Sequence, residues 1–385
     1  MNSTTKEKKI ISVVDEFDYS TQNETYNQSF REWRMRKNNR YAFRFRKDER
    51  ERVYIDGRGF VEKSFESAEK WTLSMIFHTI GYAALMWLVL ENFAFKIAVS
   101  CLDFLGMDIH INFGSSIIYG GCHEVTIALI TIDTLKILIP MLYLRLKMKV
   151  PKKAEFMGSM NNPSALVGSI SAAFIVSVIA SIPSAYSMEV REAVTFFNTV
   201  ESDISIWSQF DFLLYTAFDV LVIPIISQLL FCGAAFAALR QFGDAFALIV
   251  TAFSAAVLTQ DFSSMPAVFL LTLISGGGML TSGSIFTAIS VNVIYRMYNL
   301  TLALIETDTS ENMPFIRNIF MAIVVLIGTV GLAYFRLSTK KKPLNLAHYS
   351  SSTTFMQRII HSSRTFPYSA VAIICIIYAL IKAVR

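Results

Sequence analysis

The feature that most constrains this chain is a series of long apolar stretches with almost no charge between Leu73 and Ile381. Stretches of roughly twenty such residues are what a bilayer core demands of a spanning segment. Backbone amides cannot go unpaired in hydrocarbon, so each stretch is expected to be a helix. Barrel strands would alternate polar and apolar residues, and these do not. Only 17% of the 385 residues are charged, against 53% hydrophobic. A soluble chain would carry about a quarter charged residues, so the fold class expected is all-α, a polytopic bundle.

About eight to nine spans are expected: Leu73–Ser100, His123–Leu146, Ala165–Tyr186, Phe210–Leu239 with Pro224 near its middle, Ala245–Leu258, Met265–Leu280, Ile285–Leu304, Ile316–Phe335 and Tyr368–Ile381. Residues 1–70 are polar, rich in Asn, Ser, Glu and Arg, and show no cleavable signal pattern. The first span is therefore expected to act as an uncleaved insertion signal. Four regions result: a basic arm at 1–70, N-terminal spans at 71–206, a core at 207–305, and C-terminal spans with a basic loop at 306–385.

Basic residues set the orientation. The arginine-dense arm is expected to be cytoplasmic. Asp103–Cys122 has no Lys or Arg and is expected outside; Arg145, Lys147, Lys149, Lys152 and Lys153 mark an inside loop. Glu189–Trp207, with four acidic residues and Arg191, is outside, and Arg240 closes a span inside. Gln260–Ser264 is then outside, Thr281–Ser284 inside, Glu306–Glu311 outside and Arg336–Arg364 inside. The tail with Lys382 and Arg385 is the one departure.

Within Arg31–Arg52, Trp33, Tyr41, Phe43 and Phe45 interleave with Arg34, Arg36, Arg40, Arg44 and Arg46. This is expected to be a juxtamembrane segment held to anionic lipid, each basic residue contributing about 1 kcal/mol near the surface, with a docking surface for a protein or nucleic acid as the alternative. No nucleic-acid-binding signature is present, and no such partner is expected. Asp56-Gly57 between Val53–Ile55 and Phe60–Val61 predicts a small hairpin. Cys101 and Cys122 bracket the uncharged loop; a disulfide between them and two separate thiols both fit the spacing. Cys232 and Cys375 fall within spans and are expected to pack. No cysteine pair has metal spacing. His78 and His110 stand alone, which favours local hydrogen bonds. Gly276-Gly277-Gly278 lies in a span, so close helix packing is expected rather than a phosphate cradle.

The segment Val222–Asn299 carries the most information. Pro224 precedes a run of leucines and Phe231-Cys232-Gly233, Leu239-Arg240 closes that helix, and a short apolar segment ends at Thr259. A Gly-rich span then leads to Thr281-Ser282-Gly283-Ser284-Ile285, which opens another helix. In the order of these landmarks, over about 80 residues, the segment resembles the CPBP family, the CAAX proteases and bacteriocin-processing enzymes of the membrane. That family carries EExxxR, FxxxH and HxxxN on successive spans. Glutamate and histidines from separate helices there hold a metal that polarises a water for peptide hydrolysis.

Every one of those positions differs here. The paired glutamates fall on Ser227 and Gln228, the arginine on Cys232, the second motif on Ala255 and Thr259, and the third on Asn292 and Arg296. Neutral amides and hydroxyls are poor zinc ligands and no general base, and Arg296 would repel a cation, so no cofactor is expected. No histidine lies between His123 and His348, which argues against a displaced site on Asp211 and Asp219. Asp219 is expected to neutralise Arg296, because an unpartnered charge at bilayer depth is costly. The resemblance implies a pseudo-protease. Like members of the lysostaphin-resistance type that lack the catalytic residues, it would scaffold or regulate another membrane protein in a prokaryotic plasma membrane. Two other classes remain open: an active intramembrane endopeptidase with an unorthodox site, and a transporter or channel.

Overall fold

The structure is a computed structural model and describes residues 22, 24–36, 39–43, 52–55, 59–62, 65–112, 118–158, 160–186, 208–306, 312–338 and 353–384. The acidic loop Glu189–Trp207, the arm residues Arg44, Phe45 and Arg46, the turn at Asp56-Gly57 and most of the loop before Arg364 lie outside the described residues.

The arm contributes helix α1 (Glu24–Met35) and then a hairpin of β1 (Arg52–Ile55) and β2 (Gly59–Glu62), antiparallel with Val53 opposite Val61. The hairpin expected there is present. A long first helix follows: α2 (Phe65–Val89), a π-helical turn at Leu90–Ala94, and α3 (Phe95–Phe104). A second strand pair, β3 (Ile109–Ile111) with β4 (Ile118–Gly120), leads into α4 (Cys122–Met148). Short α5 (Lys152–Phe156) precedes α6 (Pro163–Tyr186).

The next span is assembled from pieces: α7 (Gln209–Ala217), a π-turn at Phe218–Val222, α8 (Ile223–Gln228), a second π-turn at Leu229–Ala235, α9 (Phe236–Leu239) and a 3-10 turn at Arg240–Phe242. It starts at Ser208, whose hydroxyl caps the Asp211 N–H. Helices α10 (Asp244–Leu258), α11 (Met265–Ser282), α12 (Ile285–Glu306) and α13 (Met313–Ser338) complete the bundle. Helix α14 (Phe355–Ser363), opened by a Thr354/Gln357 capping box, bends by 78° into α15 (Tyr368–Val384).

Among the described residues, seven helices are long and apolar enough to cross a bilayer, or eight if the bent pair α14–α15 counts as one span. The expectation of eight to nine included Ala245–Leu258 as a full span. At 15 residues α10 reaches only about 22 Å. It survives at that length because it is wrapped by other helices: Phe246, Ala247, Ala252 and Val250 are all buried.

Small residues draw α11 against its neighbours. A Cβ on Gly278 would come within 2.2 Å of the Ser169 hydroxyl on α6, and one on Gly276 within 2.4 Å of Leu248 on α10. The glycine run is thus a packing device, as expected for small residues at membrane helix contacts. Gly283 ends α11 at φ +81°, donating to Met279, a left-handed turn that glycine adopts without cost.

Hydrogen bonds sort the connections to two ends. At one end, Trp33 meets Met148, Ile285 N–H meets Met157, Asn161 N–H meets Ser282, and Gln241 meets Tyr41 and Phe43. Arg358 joins Glu69 to the Phe242 carbonyl at the same end. The arm, the α4–α6 connection, the turn at Arg240, the α11–α12 turn and α14 therefore share one end of the bundle. His123 with Asp211, and Gln260 with Glu91 and Asn92, lie towards the other. This is the grouping that alternating loops require.

Candidate functional site

The π-turn at Phe218–Val222 and α8 face α12, and this contact brings together four of the residues singled out from the sequence. Asp219 forms a salt bridge with Arg296. About one turn away along α12, the Asn292 amide donates to the Ser227 hydroxyl at 3.4 Å. Arg296 is about 16 Å along α12 from Ile285, so the ion pair sits well inside the bilayer. Such a pair is retained only where each charge neutralises the other.

Gln228, next to Ser227, is buried, and its Oε1 meets no donor among the described residues. Cys232 is buried in the second π-turn and packs within the main apolar core. Thr259 stands apart: its hydroxyl bonds back to Ala256 of its own helix at 2.6 Å. The neighbour Gln260, at φ +53°, makes the inter-helix contacts instead. Ser227, Asn292, Asp219 and Arg296 thus form one constellation, with Gln228 beside it and Thr259 outside its bonding. A narrow cleft of about 20 Å³ opens beside the ion pair, lined by Tyr215, Thr216, Asp219, Val220, Arg296, Asn299 and Leu300. The Thr216 hydroxyl is buried without a partner among the described residues.

A second set of charges at bilayer depth escaped the motif-based reading. Lys136 on α4 lies 2.7 Å from Asp133 and 3.4 Å from Glu91, the latter in the π-turn after α2. Glu91 also accepts from Trp87 Nε1 at 3.0 Å and from Gln260 Nε2 at 2.5 Å. Tyr215 stands between the two sets, within electrostatic reach of Asp133, Lys136, Asp219 and Arg296. Together they form an ionic layer across α2, α4, α7 and α12. The signal was available: charged residues inside apolar spans are expensive and functional by default. Both Glu91 and Asp219 occupy π-turns, which recur at functional sites.

The described aromatics of the arm, Tyr26, Phe30, Trp33 and Phe43, are buried against the chain itself. Trp33 Nε1 donates to Met148 at 2.9 Å, Arg34 to Phe43 at 2.8 Å, and Arg36 to Lys149 at 3.3 Å. Arg240, fully buried, joins Tyr26 to Asp244, each at 2.8 Å. The described aromatics thus fill the end of the bundle, with Arg34 on a carbonyl of the arm itself and Arg36 on the carbonyl that follows α4. Next to α1, Glu155 on α5 is buried with one oxygen on Arg145 at 2.9 Å. Burial outweighs that guanidinium and pushes its carboxyl up to about 7.

At the far end, Cys101 is an exposed and Cys122 a half-buried free thiol. His110 lies 3.0 Å from Asp103, a local contact. Among the described residues no group of three His, Cys, Asp or Glu side chains stands together in a way that could hold a metal ion. No protein-family model, no curated protein and no solved structure matches this chain.

Proposed function

We propose that the chain is a catalytically silent membrane scaffold or regulator that grips a membrane helix of a partner protein beside the Asp219–Arg296 pair. It would do so as a degenerate relative of the CAAX-protease fold, in a prokaryotic plasma membrane with its arm in the cytoplasm. One observation carries the reading: Ser227 and Asn292, which stand where that fold would need a glutamate and a histidine, meet each other across α8 and α12. Their amide and hydroxyl chemistry can hold a polar side chain or a backbone carbonyl, and can neither ligate zinc well nor accept a proton from water. The Thr216 hydroxyl and Asn299 in the adjoining cleft add hydrogen-bonding groups of the same kind. The basic end of the bundle supports the orientation.

The experiment is photo-crosslinking in native membranes from a benzophenone side chain at Leu300. A discrete adduct with one membrane protein, weakened at least tenfold by Asn292→Leu or Gln228→Leu at unchanged expression, is the expected result. Peptide cleavage abolished by a chelator, together with about one zinc per purified chain, would replace the scaffold by a protease. The ionic layer favours one other reading, a transporter, since intramembrane charges also mark ion pathways; ion flux in liposomes lost with Lys136→Met would decide for it.

A further inference from the structure

Helix α14 has its polarity turned inside out. On a helical wheel Phe355, Ile359, Met356 and Ile360 occupy one half, and Gln357, His361, Arg358 and Ser362 the other. In a water-facing amphipathic helix the apolar half would meet the protein. Here most of the polar half does, through Arg358, His361 and Ser362, with Gln357 exposed. Arg358 is buried on Glu69 at 2.8 Å and on the Phe242 carbonyl, and His361 meets the Ser74 hydroxyl at 2.8 Å and the Lys70 carbonyl at 3.0 Å. Most of the apolar half faces out: Met356 is 62% and Ile360 43% exposed, and beyond the helix end Phe366 is 68% exposed, while Ile359 packs partly on the core. Phe355 packs one edge on Phe246 and leaves the rest open.

The level of α14 is fixed by what it touches. Its partners Glu69, Lys70 and Ser74 bracket the point where α2 passes from charged residues to the apolar run beginning at Leu73. Trp71, exposed at that level, is the kind of residue that marks a membrane–water boundary. Four residues after α14 the chain turns by 78° into the apolar α15, so α14 runs across the span that follows it, not along it.

We infer that α14 is an interfacial helix seated in the lipid leaflet at the arm's end of the bundle. Met356 and Ile360 enter the boundary between headgroups and acyl chains, Phe366 lies deeper, next to Pro367 beside Gly81, and Arg358 clamps the opposite side to the protein. The lipid surface fits this face because the face continues the apolar surface of α15, where Ile373, Ile374 and Ile377 are likewise exposed. The basic stretch Arg336–Arg364 therefore ends in a membrane-seated element. The inference holds for either reading of function, since it concerns only how the bundle's end meets the bilayer.

The test is depth-dependent quenching in single-protein nanodiscs. An environment-sensitive fluorophore is attached to a cysteine at Met356→Cys or Ile360→Cys, in a chain whose four native cysteines are replaced. Lys153→Cys on α5, exposed at the same end, is the water-facing comparison. Lipids bearing a nitroxide high on the acyl chain are expected to quench positions 356 and 360 several-fold more than position 153, and an aqueous nickel chelate to do the opposite. Quenching of 356 and 360 by the aqueous agent to the extent seen at 153 would overturn the inference. So would shielding from both quenchers, which is the signature of a face covered by protein.

Discussion

The indole N–H of Trp33 donates to the Met148 carbonyl at 2.9 Å, joining the arm to the end of α4 across 115 residues. Met148 is among the last residues of a helix, whose carbonyls have no partner within it. The arm thereby caps a span from outside, and the fully buried indole fills the space between α1 and the bundle.

Trp33→Ala should therefore loosen the arm. A buried Trp to Ala change costs about 3–5 kcal/mol. The variant is expected to melt several degrees lower in detergent and to expose α1 to limited proteolysis, with the spans left intact. A Trp33→Phe variant keeps the packing, loses the hydrogen bond, and should fall between the two. Melting curves with gel analysis of the fragments check both.

Asp219 and Arg296 predict a charge-swap result. Asp219→Asn leaves Arg296 facing a neutral amide at bilayer depth, a loss on the order of 2–3 kcal/mol, below the roughly 3–5 typical of a fully buried pair because this one is partly open to the cleft. The exchange Asp219→Arg with Arg296→Asp should recover part of that loss. A double variant no better than the worse single would show that the pair is not coupled; thermal stability in nanodiscs is the measurement.

Glu155 predicts a pH dependence of definite sign. Its carboxyl rises from the ordinary value of 4.5 to about 7 in the folded chain, so the folded state holds a proton that the unfolded state releases. Its contribution is then most favourable below about pH 4.5 and is lost as pH climbs through 7. Relative to Glu155→Gln, which does not titrate, the wild-type chain should lose melting temperature steadily between pH 5 and 8. Parallel curves for the two proteins would refute the shift.

The end-to-end grouping predicts labelling. In a cysteine-free background, a membrane-impermeant maleimide added to intact cells should modify Asp108→Cys at the far end and spare Lys153→Cys at the arm's end. Both positions are exposed. The reverse pattern would place the arm outside.

Much of this chain was legible because lipid acts on composition segment by segment. Each span must be apolar and helical whatever its neighbours do, and each connection declares its side through its basic residues. Hence the hairpin near Asp56, the end shared by the arm and the turn at Arg240, and the Asp219–Arg296 pair could be anticipated from single residues and their spacing. What only the tertiary structure decided is which face of each helix turns inward, because tilt and rotation are set by packing against other helices. That is why Thr259 stays outside the Ser227–Asn292 contact, why Glu91 and Asp133 converge on Lys136, and why a 15-residue helix is tolerated in the middle of the bundle. It is also why the described aromatics Tyr26, Phe30, Trp33 and Phe43 of the arm fill the protein, while α14 presents Met356 and Ile360 outward.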